Sequence, residues 1–202
     1  MATSNAIDDS IKSVCVYCGS QPGNDPAYAH AARDLGTSIA QRNLALIYGG
    51  ARVGLMGILA DAVLEQGGRV VGIMPQQLVD REIAHGALSE LHIVQTMHER
   101  KQLMANLANA FVLMPGGFGS WEEFCEAITW SNLGLHRKAC GILNVNDYYA
   151  PFMAMISRSV GEGFSRASQC DPIIVETCAE QLLNRLLGSH ANARPTTTAA
   201  RD

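Results

Sequence analysis

Residues 115–123, PGGFGSWEE, follow directly on the apolar run Ala110-Phe111-Val112-Leu113-Met114, so a strand is expected to end in a glycine turn that opens a helix. A helix start presents unpaired backbone N–H groups and the positive end of the macrodipole, and Gly116, Gly117 and Gly119 carry no Cβ to obstruct an anion. Phosphate binding is the chemistry this suits. Glu122 and Glu123, placed by this reading in the first helical turn, would set carboxylates beside the anion, and Arg100-Lys101 in MHERK would add cations. An arginine there offers a bidentate fork that a lysine lacks. Simpler readings fit the same residues. Ser120 and Glu123 have the S-x-x-E spacing of a capping box with Ser120 as N-cap, and Arg100-Lys101 could be the solvated start of a helix. Residue types and spacing leave both alternatives open.

The elements that must position these groups alternate strand and helix along the chain. Apolar runs predict strands at Ser13–Tyr17, Leu44–Tyr48, Arg69–Ile73, His92–Val94, Ala110–Met114 and Ala139–Leu143. Helical periodicity between them predicts helices at Pro26–Arg42, Gly54–Gln66, Glu99–Ala108, Ser120–Leu133, Tyr148–Glu162 and Ala179–Leu187. That order argues for a single α/β domain built on a parallel sheet. In such sheets ligands bind at the carboxyl ends of the strands. The loops there are rich in glycine: CGS at 18–20, YGGARVG at 48–54 and the 115–120 turn. Each alone could be turn chemistry; together at one sheet edge they favour a nucleotide-sized pocket. The first strand runs into CGSQPG rather than GxGxxG, which argues against ordinary dinucleotide binding.

These stretches resemble the LOG family, the cytokinin riboside 5′-monophosphate phosphoribohydrolases, whose hallmark is PGGxGTxxE and which have carried a lysine decarboxylase label. The resemblance runs through VCVYCGS, YGGARVGLMG, IMP, REIAHG, MHERK, PGGFGSWEE, ITW and GILNVNDYY, over about residues 13 to 187. It implies a Rossmann-like, doubly wound parallel sheet with helices on both faces, and a homodimer with the site near the subunit interface. It also implies hydrolysis of a purine nucleoside 5′-monophosphate, commonly N6-prenylated, to free base and ribose 5-phosphate. By position, Arg100 and Glu123 match the family's catalytic pair. Glu82, Arg100, Lys101, Gly116, Gly117, Phe118, Gly119, Ser120, Trp121, Glu122 and Thr129 match positions lining the nucleotide site. Ser120 stands where the hallmark has Thr, and Ala51 where many members have Gly; the hydroxyl is retained in the first case. No metal and no cofactor is called for. The molybdenum-cofactor carrier proteins share the architecture and give a non-catalytic alternative, against which Arg100 with Glu123 argues.

Composition narrows the alternatives. A net charge of −4 with scattered Lys and Arg argues against nucleic acid. The polar, acidic start MATSNAIDDS and the lack of an apolar run of roughly 18 residues predict a cytoplasmic protein without membrane association. The six cysteines, Cys15 and Cys18 in a CxxC among them, read as reduced thiols, and the histidines share no metal-ligand spacing. The chain has three lysines, and Lys12, Lys101 and Lys138 offer no independent case for a pyridoxal phosphate aldimine. Residues 1–12 and 189–202 are expected to be disordered, flanking a hydrolase domain at 13–188.

Overall fold

Strand residues that are apolar at every position must be covered on both sides, and here they are. A computed structural model describes residues 11–81, 83–170 and 173–192. In chain order its elements are β1 (Ser13–Tyr17), α1 (Pro26–Gln41), β2 (Ala45–Tyr48), α2 (Gly54–Glu65), β3 (Val70–Pro75), a short α3 (Gln76–Val79), β4 (Glu90–Val94), α4 (Met97–Leu107), β5 (Ala110–Leu113) and α5 (Phe118–Asn132). They continue with β6 (Ala139–Leu143), a 3₁₀ turn (Val145–Asp147), α6 (Ala150–Gly161), a short α7 (Ala167–Cys170), β7 (Ile173–Glu176) and α8 (Ala179–Asn192).

Among the described residues the strands form one seven-stranded sheet in the order β4-β3-β2-β1-β5-β6-β7. Every pairing in it is parallel. Alternate residues of each strand feed two separate cores. Val14, Val16, Leu46, Val70 and Val112 meet Leu35, Leu59 and Leu183 of α1, α2 and α8 on one face. Cys15, Tyr17, Ile47, Ile73 and Phe111 meet Met104, Phe124 and Phe152 of α4, α5 and α6 on the other. This is the doubly wound Rossmann-like sheet expected, with helices on both faces. Strand order reverses between β1 and β5, and the loops leaving those two strands flank the crevice created there.

Several boundaries differ from the sequence reading, each for a local reason. β7, an edge strand of four residues (IIVE), was not foreseen: its apolar run stops after three residues at Glu176, whereas β2 and β5 are apolar throughout. α8 runs on to Asn192, past the expected domain end at residue 188, with Ser189 Oγ donating to Leu186 O at 2.9 Å. Ile11 is buried against the first core. The remainder of the expected terminal segments, 1–10 and 193–202, lies outside the described residues. Among the described residues no helix is long and apolar enough to cross a membrane.

Candidate active site

α5 begins at Phe118 with Gly117 as N-cap, earlier than the sequence reading placed it. Two expectations are thereby corrected. Ser120 is the third residue of the helix rather than its cap, and Glu122 and Glu123 fall in the second turn, not the first. The reason is that Gly117 can take the extended cap conformation itself, so the start needs no side-chain cap. A side-chain cap with the same S/T-x-x-E spacing sits on α4 instead, though its glutamate reaches the residue before the cap. Thr96 Oγ1 accepts from Glu99 N at 3.1 Å, and Glu99 Oε2 accepts from Gln95 N at 2.8 Å.

That cap fixes where α4 starts, and hence where Arg100 and Lys101 point. Neither is solvated: each retains only 9% of its surface. Arg100 crosses the carboxyl ends of β2 and β3, with Nε donating to Ile73 O at 3.1 Å and Nη1 lying 3.5 Å from Glu123 Oε1. Room for the guanidinium is made by Gly49, where a Cβ would come within 2.0 Å of Arg100 Nη2. Both side chains of the Arg100–Glu123 pair are 11% exposed. Burial pushes the Glu123 carboxyl above the ordinary range, with Arg100 opposing and Glu122 adding to the shift.

Lys101 is engaged within the protein itself. Its Nζ donates to Glu122 Oε1 and, at 3.1 Å, to Glu126 Oε1. Burial works against its charge, but the bonds to the two glutamates outweigh that and hold its pKa above the ordinary value. With two carboxylates on one ammonium, Lys101 staples α4 to α5. Glu126 was missed in the sequence, although the i, i+4 spacing from Glu122 could have suggested it.

The phosphate-type features gather at the strand-order reversal. Gly19, Ser20, Pro115, Gly116, Gly117, Phe118 and Trp121 line a crevice of about 350 Å³ together with Tyr28, Leu55 and Tyr148. Gly116 is pressed against the helix: a Cβ there would lie 2.3 Å from Ser120 Oγ. The first intrahelical bond of α5 runs from Trp121 N to Gly117 O at 3.1 Å, so the N–H groups ahead of it face the helix start. Gly19 closes the crevice floor, donating to Pro115 O at 3.0 Å and accepting from Leu55 N at 3.0 Å. Tyr148 and Tyr149, absent from the expected set, bond Gly116 O and Met114 O at 2.6 and 2.7 Å.

Thr129 stands apart from this crevice. Thr129 bonds the Cys125 carbonyl at 2.7 Å and lines a separate groove of about 330 Å³ with Phe152, Met155 and Ile156. Glu82 lies outside the described residues, although its neighbours are pinned to the β2 loop by an Ala51–Ala84 bridge and by Arg52 N donating to Ile83 O at 2.9 Å. Among the described residues no three His, Cys, Asp or Glu side chains cluster as a metal site would require.

A glycine-bounded helix start at the reversal of a doubly wound sheet, with a buried Arg–Glu pair on adjoining helices, defines a nucleotide-type α/β site. Comparison with known proteins makes the assignment narrower. The family described as possible lysine decarboxylase matches residues 56–186. The chain is 50% identical over 165 residues to a cytokinin riboside 5′-monophosphate phosphoribohydrolase of Rhodococcoides fascians, covering 81% of this chain and 83% of that protein. To the LOG1 phosphoribohydrolase of Arabidopsis thaliana it is 41% identical over 180 residues, 89% of this chain and 84% of the relative. The chain belongs to the LOG family. Among solved structures, the molybdenum cofactor binding protein of Rippkaea orientalis matches with a TM-score of 0.66 at 17% identity, over 89% of this chain and 96% of that one. The molybdenum cofactor carrier protein of Chlamydomonas reinhardtii gives 0.66 at 16% identity, over 90% and 99%. At those identities the likeness is one of fold.

Because the obstacle to a Cβ at Gly49 is the far end of a flexible side chain, Gly49→Ala should still fold but with a lowered melting temperature, since moving the guanidinium leaves a buried partner behind. A crystal structure of the variant should show the guanidinium of Arg100 drawn away from Glu123; an undisturbed pair would refute the assigned role of Gly49.

Proposed function

We propose that this chain hydrolyses the N-glycosidic bond of purine nucleoside 5′-monophosphates, N6-prenylated adenylates among them, releasing the free base and ribose 5-phosphate. The observation that carries the reading is the buried pairing of Arg100 with Glu123 beside the start of α5. Cleaving C1′–N9 sends the bonding electrons to the base and leaves positive charge on the ribose. Glu123 opposes that charge and takes a proton from the water that adds to C1′. Arg100 meets the charge gathering on the base, which takes up a proton from solvent as it leaves, while Glu123 returns its proton to solvent. Gly116, Gly117, Phe118, Gly119 and Ser120 hold the 5′-phosphate at the helix start, with Trp121 at the crevice wall. Binding energy far from the breaking bond thereby positions the reacting carbon. Lys101 acts through Glu122, which it holds in place.

The lysines favour this reading over a decarboxylase. An aldimine needs a neutral amine near the ligand, whereas Lys101 is held protonated by its two carboxylates. Lys138 does have a lowered pKa from burial, but it precedes β6 and so sits at the amino ends of the strands, where its Nζ bonds Ala105 O at 2.6 Å.

A homodimer belongs to the same proposal. Met155 and Phe164 are 67% and 87% exposed, and Thr129 faces the groove that Met155 lines, so a second copy seated there would cover apolar surface and bring Thr129 to an interface. Glu82 is retained as a substrate contact. The cytoplasm is the compartment we assign, in keeping with six free thiols.

Chromatography of products from AMP and from N6-isopentenyl-AMP tests the reaction. Wild type should release base, and Glu123→Gln should lose about 10²–10⁴-fold in turnover, the usual worth of a positioned proton acceptor. A bound nucleotide that is never cleaved would point to a carrier instead. A pH profile adds a second check. Only ionised Glu123 can serve, so kcat/KM must rise with pH through its raised pKa, with an acid limb above the ordinary glutamate value of about 4.3. Arg100 lowers that pKa, so Arg100→Met should move the limb further up. Sedimentation equilibrium should show a dimer that Met155→Glu dissociates; a wild-type monomer would remove the dimer from the proposal.

A further inference from the structure

The turn after β6 is held in a conformation that side chains rarely adopt. Asn146 and Asp147 are consecutive left-handed residues, with φ of 49° and 54°. Such backbone persists where its surroundings hold it, and here they do. Asn144 Nδ2 donates to Asp147 Oδ1 at 3.2 Å, Asn144 Oδ1 accepts from Tyr149 N at 2.8 Å, and Asn146 Nδ2 reaches Asp25 Oδ2, the N-cap residue of α1, at 2.9 Å.

The product of this turn is a pair of adjacent tyrosines aimed at one loop. Tyr149 OH bonds Met114 O behind Pro115, and Tyr148 OH bonds Gly116 O in front of it. The rings brace each other at 4.9 Å and nearly perpendicular, and Tyr28 of α1 packs edge-on to Tyr148 at 5.8 Å. Burial, with Tyr28 adding, raises the Tyr148 pKa, so the hydroxyl stays a donor at neutral pH.

The bond to Gly116 O matters because of what that carbonyl would otherwise do. Gly116 lines the crevice where the anion is to bind, and an uncapped carbonyl oxygen there would repel it. The glycine at 116 and the glycine at 117 also leave the intervening peptide free to rotate, since neither flanking residue has a Cβ to resist. In a trans peptide the Gly117 N–H points opposite to the Gly116 carbonyl, so fixing one fixes the other. We propose that Tyr148 is a positioning residue for phosphate recognition: its hydroxyl caps the Gly116 carbonyl and locks the Gly116–Gly117 peptide in the orientation that accepts the anion. This rests on the reading of the α5 start as the 5′-phosphate site. Tyr148 contributes to binding, through the loop, and leaves bond cleavage to Arg100 and Glu123.

Titration calorimetry of ribose 5-phosphate into wild type, Tyr148→Phe and Tyr149→Phe provides the test, with steady-state kinetics on AMP alongside. Losing one neutral hydrogen bond corresponds to roughly a fivefold weakening. Tyr148→Phe should therefore weaken ribose 5-phosphate binding about fivefold and raise KM similarly, with kcat within about twofold of wild type. Tyr149→Phe removes a hydroxyl from the same turn but one peptide further back, and should lower the melting temperature with a smaller change in binding. Unchanged affinity in Tyr148→Phe, equal weakening in both variants, or a fall in kcat at constant KM would each overturn the proposal. Should Tyr148→Phe fail to fold, Tyr28→Leu keeps the hydroxyl but removes its edge-on support. It should weaken binding in the same direction, and unaltered affinity there would likewise count against the lock. The two readings separate cleanly. A wild type that binds ribose 5-phosphate but releases no base would defeat the hydrolase while leaving the Tyr148 lock standing.

Discussion

A guanidinium withdrawn from water constrains everything around it. Arg100 cannot be neutralised, so its charge has to be met by the protein wherever it is buried. The Ile73 carbonyl meets one edge and Glu123 faces another, at a distance longer than a close charge-assisted bond of about 2.8 Å. Four elements are committed by this single side chain. α4 supplies it, β3 offers the carbonyl, the β2 loop gives way at Gly49, and α5 brings the carboxylate. Removing one partner from such a buried pair costs on the order of 3–5 kcal/mol, so the arrangement is demanding structurally as well as chemically.

The same burial accounts for the division of labour among the acids. Glu123 is enclosed and its pKa rises, while Glu122 is 57% exposed and is engaged by Lys101. Adjacent residues on a helix point about 100° apart, so two neighbouring glutamates can occupy unlike environments. One is a buried carboxyl facing Arg100 and the other an anchor for the neighbouring helix.

Much of this was legible in the residues. The alternation of strands and helices and the gathering of glycine loops at one sheet edge follow from period and spacing, whereas Arg100 and Glu123 were singled out by family resemblance, their spacing alone leaving a cap and a solvated helix start equally open. The register of α5 was not legible, because Ser120–Glu123 presents the same capping pattern as Thr96–Glu99, and only the conformation of Gly117 decides which is used. The partners of Lys101 depend on how α4 crosses α5, a long-range packing outcome that leaves no mark in either helix alone. Thr129 shares a helix with Glu122 and Glu126, yet its side chain turns into a groove formed by α6 and α7, elements distant in sequence. Tyr148 and Tyr149 were visible as aromatic residues after a strand. Their targets, carbonyls more than thirty positions away, were not.

Gly19 has a wider consequence. One residue joins the end of β1 to the β5 loop through its N–H and to the start of α2 through its carbonyl, so three segments share a single peptide junction. A ligand entering this crevice meets backbone that is already ordered, and its association carries little of the entropy loss that a folding loop would impose. Discrimination at this end of the molecule is therefore geometric. Whatever enters must match walls that backbone hydrogen bonds have already set.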